Sequence, residues 1–592
     1  MNSRHSLQQF KGLFFVQSLF VLLLVATGRA SANTIDIKDT NYPIPGGAYF
    51  VSTDGKDTNS GKTPGSPWPF KKAFASAPSG AVIVFRGGTY RNIDGRLIDK
   101  KLTLQPYPHE KVWIKGSIDV EGWVQDGAIW RKDGWTYSFP PNGSSENIDP
   151  AYPLAGYRDM VYINGLNLKQ VASKAEVGPA KFYVDSTNKQ LYIGDNPAGK
   201  KVEATTKKQA FYLLKYDTYD PSNTIIRGLG FAHYADEAIA FGAPRVTLEN
   251  NTFVWNGVQG ILLWGQGSGG QWGVTTDAIV RGNTFSYNGS QGVAADQAHR
   301  MLLEDNKISY NNVEHFSKIS GAAGIKAIKT KGLIWRNNLV ENNFATGMWM
   351  DISNTNATIV RNVVRNNENM GIFMEISHKA IIAANVVYKN STGIMVTGSS
   401  SAQVYNNTLS KNGRNIVIND DTRVNTNAAE IALGSTWIAR NNIVKNNILS
   451  NTTGSKALFD ASNWGTKEPS SLMIDALDYN AYYRTVSSAL PFVIRWSLGG
   501  DGWSNQHNAN NWDVGYPTVA AFNATGYEAH ALTIDNVATN PFFVDEANGD
   551  YRLKSGSPAI GRGGPLPADV AQAIGLPAGV RVDLGALQAT VY

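Results

Sequence analysis

Asn337-Asn-Leu-Val-Glu-Asn342 followed by Gly347-Met-Trp-Met-Asp351, and Asn362-Val-Val-Arg-Asn-Asn367 followed by Gly371-Ile-Phe-Met-Glu375, are one phrase written twice. The phrase recurs on both sides: Asn251-Thr-Phe-Val-Trp-Asn256, Asn283-Thr-Phe-Ser-Tyr-Asn288, Asn306-Lys-Ile-Ser-Tyr-Asn311, Asn385-Val-Val-Tyr-Lys-Asn390, Asn407-Thr-Leu-Ser-Lys-Asn412 and Asn441-Asn-Ile-Val-Lys-Asn446. The steps between first asparagines are 32, 23, 31, 25, 23, 22 and 34, so a minimal winding of 22–25 residues with longer loops on some turns accounts for all of them. A period this short, rich in β-branched residues and without helical spacing, predicts a parallel β-solenoid whose stacked asparagines satisfy buried turn groups. A leucine-rich repeat would show a Leu ladder, which is absent.

After most of these phrases a glycine opens an alternating strand: Gly260-Ile-Leu-Leu-Trp264, Gly292-Val-Ala-Ala-Asp296, Gly324-Ile-Lys-Ala-Ile328, Gly347 to Asp351, Gly371 to Glu375 and Gly393-Ile-Met-Val-Thr397. Side chains in a strand alternate between faces. The first and third residues after Gly are apolar in every winding and are expected to point inward. The second and fourth face out: Leu262/Trp264, Ala294/Asp296, Lys326/Ile328, Trp349/Asp351, Phe373/Glu375 and Met395/Thr397.

The rest of the chain bounds the answer. With no cysteine in 592 residues, a disulfide scaffold, a Cys-ligated metal and a thiol nucleophile are excluded. The net charge of +6 owes half its value to Arg4, Lys11 and Arg29, which is not the footprint of a nucleic-acid binder. Fifty-eight Gly and 24 Pro against 9 Met favour turns over long helices. Residues 1–32 read as a signal peptide: a basic start to Lys11, an apolar Leu13 to Val25, and cleavage after Ala30-Ser-Ala32. That run is shorter than the roughly 20 residues a spanning helix needs, so no membrane anchor is expected and the mature protein is expected to be secreted or periplasmic. Residues 33–117 are expected to hold an N-terminal cap and the first coils. Residues 118–205 form an antiparallel β-rich insert with hairpin turns at Asn164-Gly165 and Ser186-Thr-Asn-Lys189. Residues 206–454 make the β-helix core with the groove, and 455–592 the C-terminal coils and capping loops.

Asp351 and Glu375 hold the same outward position in consecutive windings, about 4.8 Å apart between paired strands. Like charges that close are unfavourable, and Thr397 fills the same place without charge. Retaining glycosidases place nucleophile and acid/base roughly 5–5.5 Å apart, whereas inverting ones need roughly 6.5–9.5 Å. Adjacent coils match the first spacing. Lys326 on the preceding winding supplies a counter-charge to Asp351, as a nucleophile requires. Glu375, beside Phe373 and the Asp351 charge, is expected to be pushed toward an acid's range. Trp349 and Phe373 offer apolar ring faces to a sugar, His378 a donor, and Asp296, two coils from Asp351, a further substrate contact.

These features carry a resemblance. Tyr49-Phe-Val-Ser-Thr-Asp-Gly-Lys-Asp-Thr-Asn-Ser-Gly61, Pro67-Trp-Pro-Phe-Lys-Lys-Ala73, Val84-Phe-Arg-Gly-Gly-Thr-Tyr90 and the repeats resemble the right-handed parallel β-helix (pectate lyase-like) superfamily of carbohydrate-active enzymes. Trp349-Met-Asp-Ile352 and Phe373-Met-Glu-Ile-Ser-His378 resemble the site of β-helix retaining glycosidases of the β-xylosidase type. That resemblance implies Asp351 as nucleophile, Glu375 as acid/base and His378 as a substrate contact. The expectation is an exported, monomeric glycoside hydrolase acting on a carbohydrate polymer or oligosaccharide, without a cofactor. One rival is a polysaccharide lyase with Lys326 as base and a Ca²⁺ shared by Asp296, Asp351 and Glu375. A C5-epimerase and a non-catalytic glycan-binding solenoid are the others.

Overall fold

The structure, a computed structural model, describes residues 35–216, 218–265, 275–454, 457–463, 468–499 and 513–589. The expected signal peptide lies outside the described residues. The chain winds into a right-handed parallel β-helix, each full winding giving one strand to each of three long sheets of 13 strands. Seven consecutive strands of one sheet carry the functional argument. They are β1 (Gln259–Trp264), β2 (Gln291–Asp296), β3 (Ala323–Ile328), β4 (Thr346–Asp351), β5 (Met370–Glu375), β6 (Thr392–Thr397) and β7 (Arg414–Asp420).

Inward files stack in register, as the alternation predicts. Ile261, Val293, Ile325, Met348, Ile372, Ile394 and Ile416 pair one to the next and are all fully buried. A second file begins with Phe231, Phe253 and Phe285, whose rings stack at 5.1 and 4.9 Å. It continues through Ile308, Val340, Val364, Val387 and Leu409 in one apolar core.

The asparagines do what a buried turn demands. Asn283 Nδ2 donates to Leu248 O at 2.9 Å and to Asn306 Oδ1 at 3.1 Å, and its main-chain N–H donates to the same Oδ1 at 2.9 Å. Repeated winding after winding, this pairs turn groups in a place water does not reach. The residue just before each ladder asparagine turns the corner with positive φ, among them Asp305 (55°), Asn337 (55°), Arg361 (56°) and Asn446 (61°). In two copies of the repeat the phrase begins one corner early. The ladder members are Asn338 and Asn447, while Asn337 makes the left-handed corner before Asn338 and Asn441 (55°) makes a different left-handed corner, before the bonded Asn442. An Asn-Asn doublet thus divides two jobs, because asparagine tolerates the left-handed region and also suits the ladder.

Two sheets of four and five strands, antiparallel except where Lys169–Gln170 pairs parallel with Lys181–Asp185, lie between Ser117 and Thr205, beside the solenoid. The Asn164-Gly165 hairpin joins Ile163 to Leu166 with φ of 50° and 78° at the two turn residues. The helix Phe70–Ser76 covers the N-terminal end, with Phe74 stacked on Phe211. At the other end Asp513–Tyr516 adds antiparallel to Ile494–Ser497, so the last parallel edge is closed. Among the described residues no helix is long and apolar enough to cross a membrane.

Candidate functional site

On the outer face of β1 to β7 the pairing makes two rows. The middle row runs Leu262, Ala294, Lys326, Trp349, Phe373, Met395, Val417. The end row runs Trp264, Asp296, Ile328, Asp351, then Glu375, Thr397 and Asn419. Met350 pairs with Met374, so the next residues, Asp351 and Glu375, come side by side on adjacent windings with both side chains outside the core.

Each carboxylate has its own partners. Lys326 Nζ sits 2.9 Å from Asp351 Oδ2, donates to Ser320 O at 2.9 Å, and lies 3.6 Å above the Trp349 ring. Glu375 Oε2 accepts from Trp349 Nε1 at 3.0 Å, and Oε1 meets Arg423 Nη1 at 2.8 Å. Arg423 is in turn clamped by Asp421 Oδ2 at 2.6 Å. Burial first, and the Asp351 charge second, push the Glu375 carboxyl above the ordinary carboxylate range, against the pull of Arg423 and Lys326.

The surroundings differ from an open floor. Trp349 and Phe373 are only 2% and 6% exposed; their rings stack on each other at 5.5 Å, within an outer apolar cluster with Met395 and Val417. The expected sugar-facing rings therefore brace the carboxylates instead: the indole face takes Lys326 and the indole N–H takes Glu375. Asp351 is itself only 7% exposed, so the groove expected from the sequence is covered at this point. Asp296 sits two windings before Asp351 in the same row, half-buried, accepting from Gln297 Nε2 at 3.3 Å. His378 lies on a different sheet, in the strand His378–Ala383. Its Nδ1 is 2.9 Å from Ser400 Oγ, and its ring packs against Gly434.

Two segments wall the site. The loop after Asn311 is braced by the insert: Ser317 N donates to Asn147 O at 2.8 Å and Ser320 Oγ to Glu146 O at 2.6 Å. The other wall is the segment between β7 and Asn442, which folds back over three windings. Its Trp437 Nε1, Ser435 Oγ and Asn425 Nδ2 all donate to Ser353 Oγ, at 3.0, 3.1 and 3.4 Å, and Ser353 Oγ donates to Glu430 Oε2 at 2.5 Å. The backbone at this hub is strained. Ile352 (51°) and Ser353 (57°), directly after Asp351, and Ile376 (38°), directly after Glu375, all have positive φ, a conformation costly for a β-branched residue. Asn354 Nδ2 ties down the Asp351 carbonyl at 2.6 Å. Sequence reasoning missed Arg423, Ser353, Asn425 and Glu430. Nothing local in Asp421-Thr-Arg423 points to a partner in a winding some fifty residues earlier.

Comparison with known proteins agrees on the architecture. Residues 219–409 match the family model for a right-handed β-helix region. A solved structure of XylC with xylose is similar at 16% identity, with 74% of this chain and 83% of that chain covered and a TM-score of 0.58. A glycoside hydrolase structure (13% identity, 66% and 99% covered) and an Azotobacter vinelandii mannuronan C-5 epimerase AlgE4 A-module (13%, 69% and 87%) align with TM-scores of 0.45 and 0.41. No curated protein sequence matches this chain. The fold is that of the right-handed parallel β-helix proteins.

Proposed function

We propose that the chain is an exported glycoside hydrolase that cleaves a glycosidic bond with retention of configuration. The observation that carries this reading is the side-by-side placement of Asp351 and Glu375 on adjacent windings, each with a different set of neighbours. Asp351, its Oδ2 paired to Lys326, attacks the anomeric carbon and forms a glycosyl–enzyme ester. Glu375, raised by burial and by Asp351, gives its proton to the departing oxygen. The resulting carboxylate then takes a proton from water, which displaces Asp351 and releases the sugar. Spacing supports retention, since adjacent strands lie about 4.8 Å apart and retaining pairs need roughly 5–5.5 Å. The likeness in fold to XylC, whose structure holds xylose, makes pentose-containing glycans the first substrates to try.

The lyase alternative fits less well. Lys326 Nζ is committed to Asp351 and to Ser320 O, and a Ca²⁺ would have to share Asp351 and Glu375 with Lys326 and Arg423. No cofactor is part of the proposal.

The deciding experiment sets wild type against Glu375→Gln and Asp351→Asn on aryl glycosides and a polysaccharide panel. Proton NMR reads the anomer first released. The expected result is a saturated product of unchanged configuration and a fall of about 10²–10⁴ in kcat for Glu375→Gln on substrates with a poor leaving group. A Glu375→Gln variant with full activity, or an unsaturated ultraviolet-absorbing product, ends this reading.

A further inference from the structure

Along the end row, exposure rises from Asp351 towards the N-terminal windings. Beyond Glu375, towards the C-terminal windings, Thr397 and Asn419 are buried, as are Met395 and Val417 beside them. On the other side Ile328 and Asp296 are half-buried, Ala294 presents only a methyl group, and Trp264 at the far end is 38% exposed. The carboxylates therefore lie towards the covered end of the row, and among the described residues the exposed end is at Trp264. Trp264 lies three strand spacings from Asp351, about 14 Å, in the same register row. Trp255 stacks on Tyr287 at 4.7 Å, whereas no ring stacks on Trp264 among the described residues. An exposed indole held in line with a polar floor is suited to a ligand with an apolar C–H face and a hydroxyl rim.

Building on the hydrolase reading, we propose that the row from Asp351 through Ile328 and Asp296 to Trp264 is an extended glycan-binding trench. Trp264 is its outermost platform, and the preferred ligand is an oligosaccharide or chain end of about four sugar units. The Asp296 carboxylate accepts from hydroxyls midway, Leu262 and Ala294 give an apolar flank, and the Trp264 ring carries the far sugar.

The test measures binding by calorimetry on the full chain carrying Glu375→Gln, with xylo-, gluco- and manno-oligosaccharides of about two to about six units. Affinity for the recognised series is expected to climb up to about four units and then level off. Adding Trp264→Ala weakens the four-unit ligand about tenfold and the two-unit ligand much less, while Trp264→Phe restores most of the climb. An unchanged length dependence in Trp264→Ala, or an equal loss at every length, overturns the inference. So does a chain that binds no oligosaccharide. A chain that shows the length dependence but hydrolyses no glycoside keeps this trench and discards the hydrolase reading.

Discussion

At the scale of single residues, the proposed site keeps two neighbouring acids in unlike company. Arg423 opposes the burial and the Asp351 charge that raise Glu375. Replacing Arg423 with Ala therefore lifts the Glu375 carboxyl further. The alkaline limb of the kcat/KM profile, where an acid must still hold its proton, is expected to move to higher pH. Asp351, Lys326 and Asp421 remain in place as the other charges around the pair. A limb that stays fixed in Arg423→Ala, while activity persists, means that Glu375 is not the group reporting there. Ser353 bears on Asp351 through the backbone. Ser353→Ala takes the acceptor from Trp437 Nε1 and Ser435 Oγ and a donor from Glu430, while Asn425 keeps Glu430 and the Ser435 carbonyl, and losing a buried partner costs roughly 1–3 kcal/mol. The measured effect is expected as a lower kcat with a lower melting temperature. Asp351, Glu375 and Lys326 were legible from alternation alone, because period two fixes which residues share a face. Arg423 was not legible, since its contact depends on how a long excursion folds back.

The element that repeats is the corner, and its chemistry makes the windings stack. A ladder asparagine is buried and bonded to the windings on either side, whereas the corner residue before it only has to accept a left-handed φ. Asn338→Ala is therefore expected to cost about 1–3 kcal/mol in denaturant unfolding, by orphaning groups of two neighbouring windings. Asn337→Gly is expected to be neutral within about 0.5 kcal/mol, because glycine takes φ of 55° without strain. Equal costs at the two positions would contradict this division of labour. The repeat period and the inward files were plain in the chain. The offset at Asn337-Asn338 and Asn441 was not, because in a doublet either asparagine satisfies the pattern and only the neighbouring winding decides which one bonds.

For the whole molecule, stability depends on how the stack is terminated. One asparagine ladder ends on Glu528, which takes Asn480 Nδ2 at 2.7 Å and Tyr482 OH at 2.5 Å on its Oε1. Burial pushes the Glu528 carboxyl up to about 7. A raised carboxyl folds with its proton on, so its contribution is fully present below its ordinary value near 4.5 and is lost as pH rises through about 7. Melting temperature is thus expected to fall between pH 5 and pH 8 by an amount that Glu528→Gln reduces; an identical pH dependence in that variant would exclude Glu528 as a source. The amino-acid order alone determined that the chain coils, which residues line the inside, and that two acids meet on neighbouring turns, because all of these follow from strand alternation and a fixed period. Folding in three dimensions decided what those acids touch and how far each is covered. Such features are set by loops that return from distant windings, and chain separation carries no local signal of where they land.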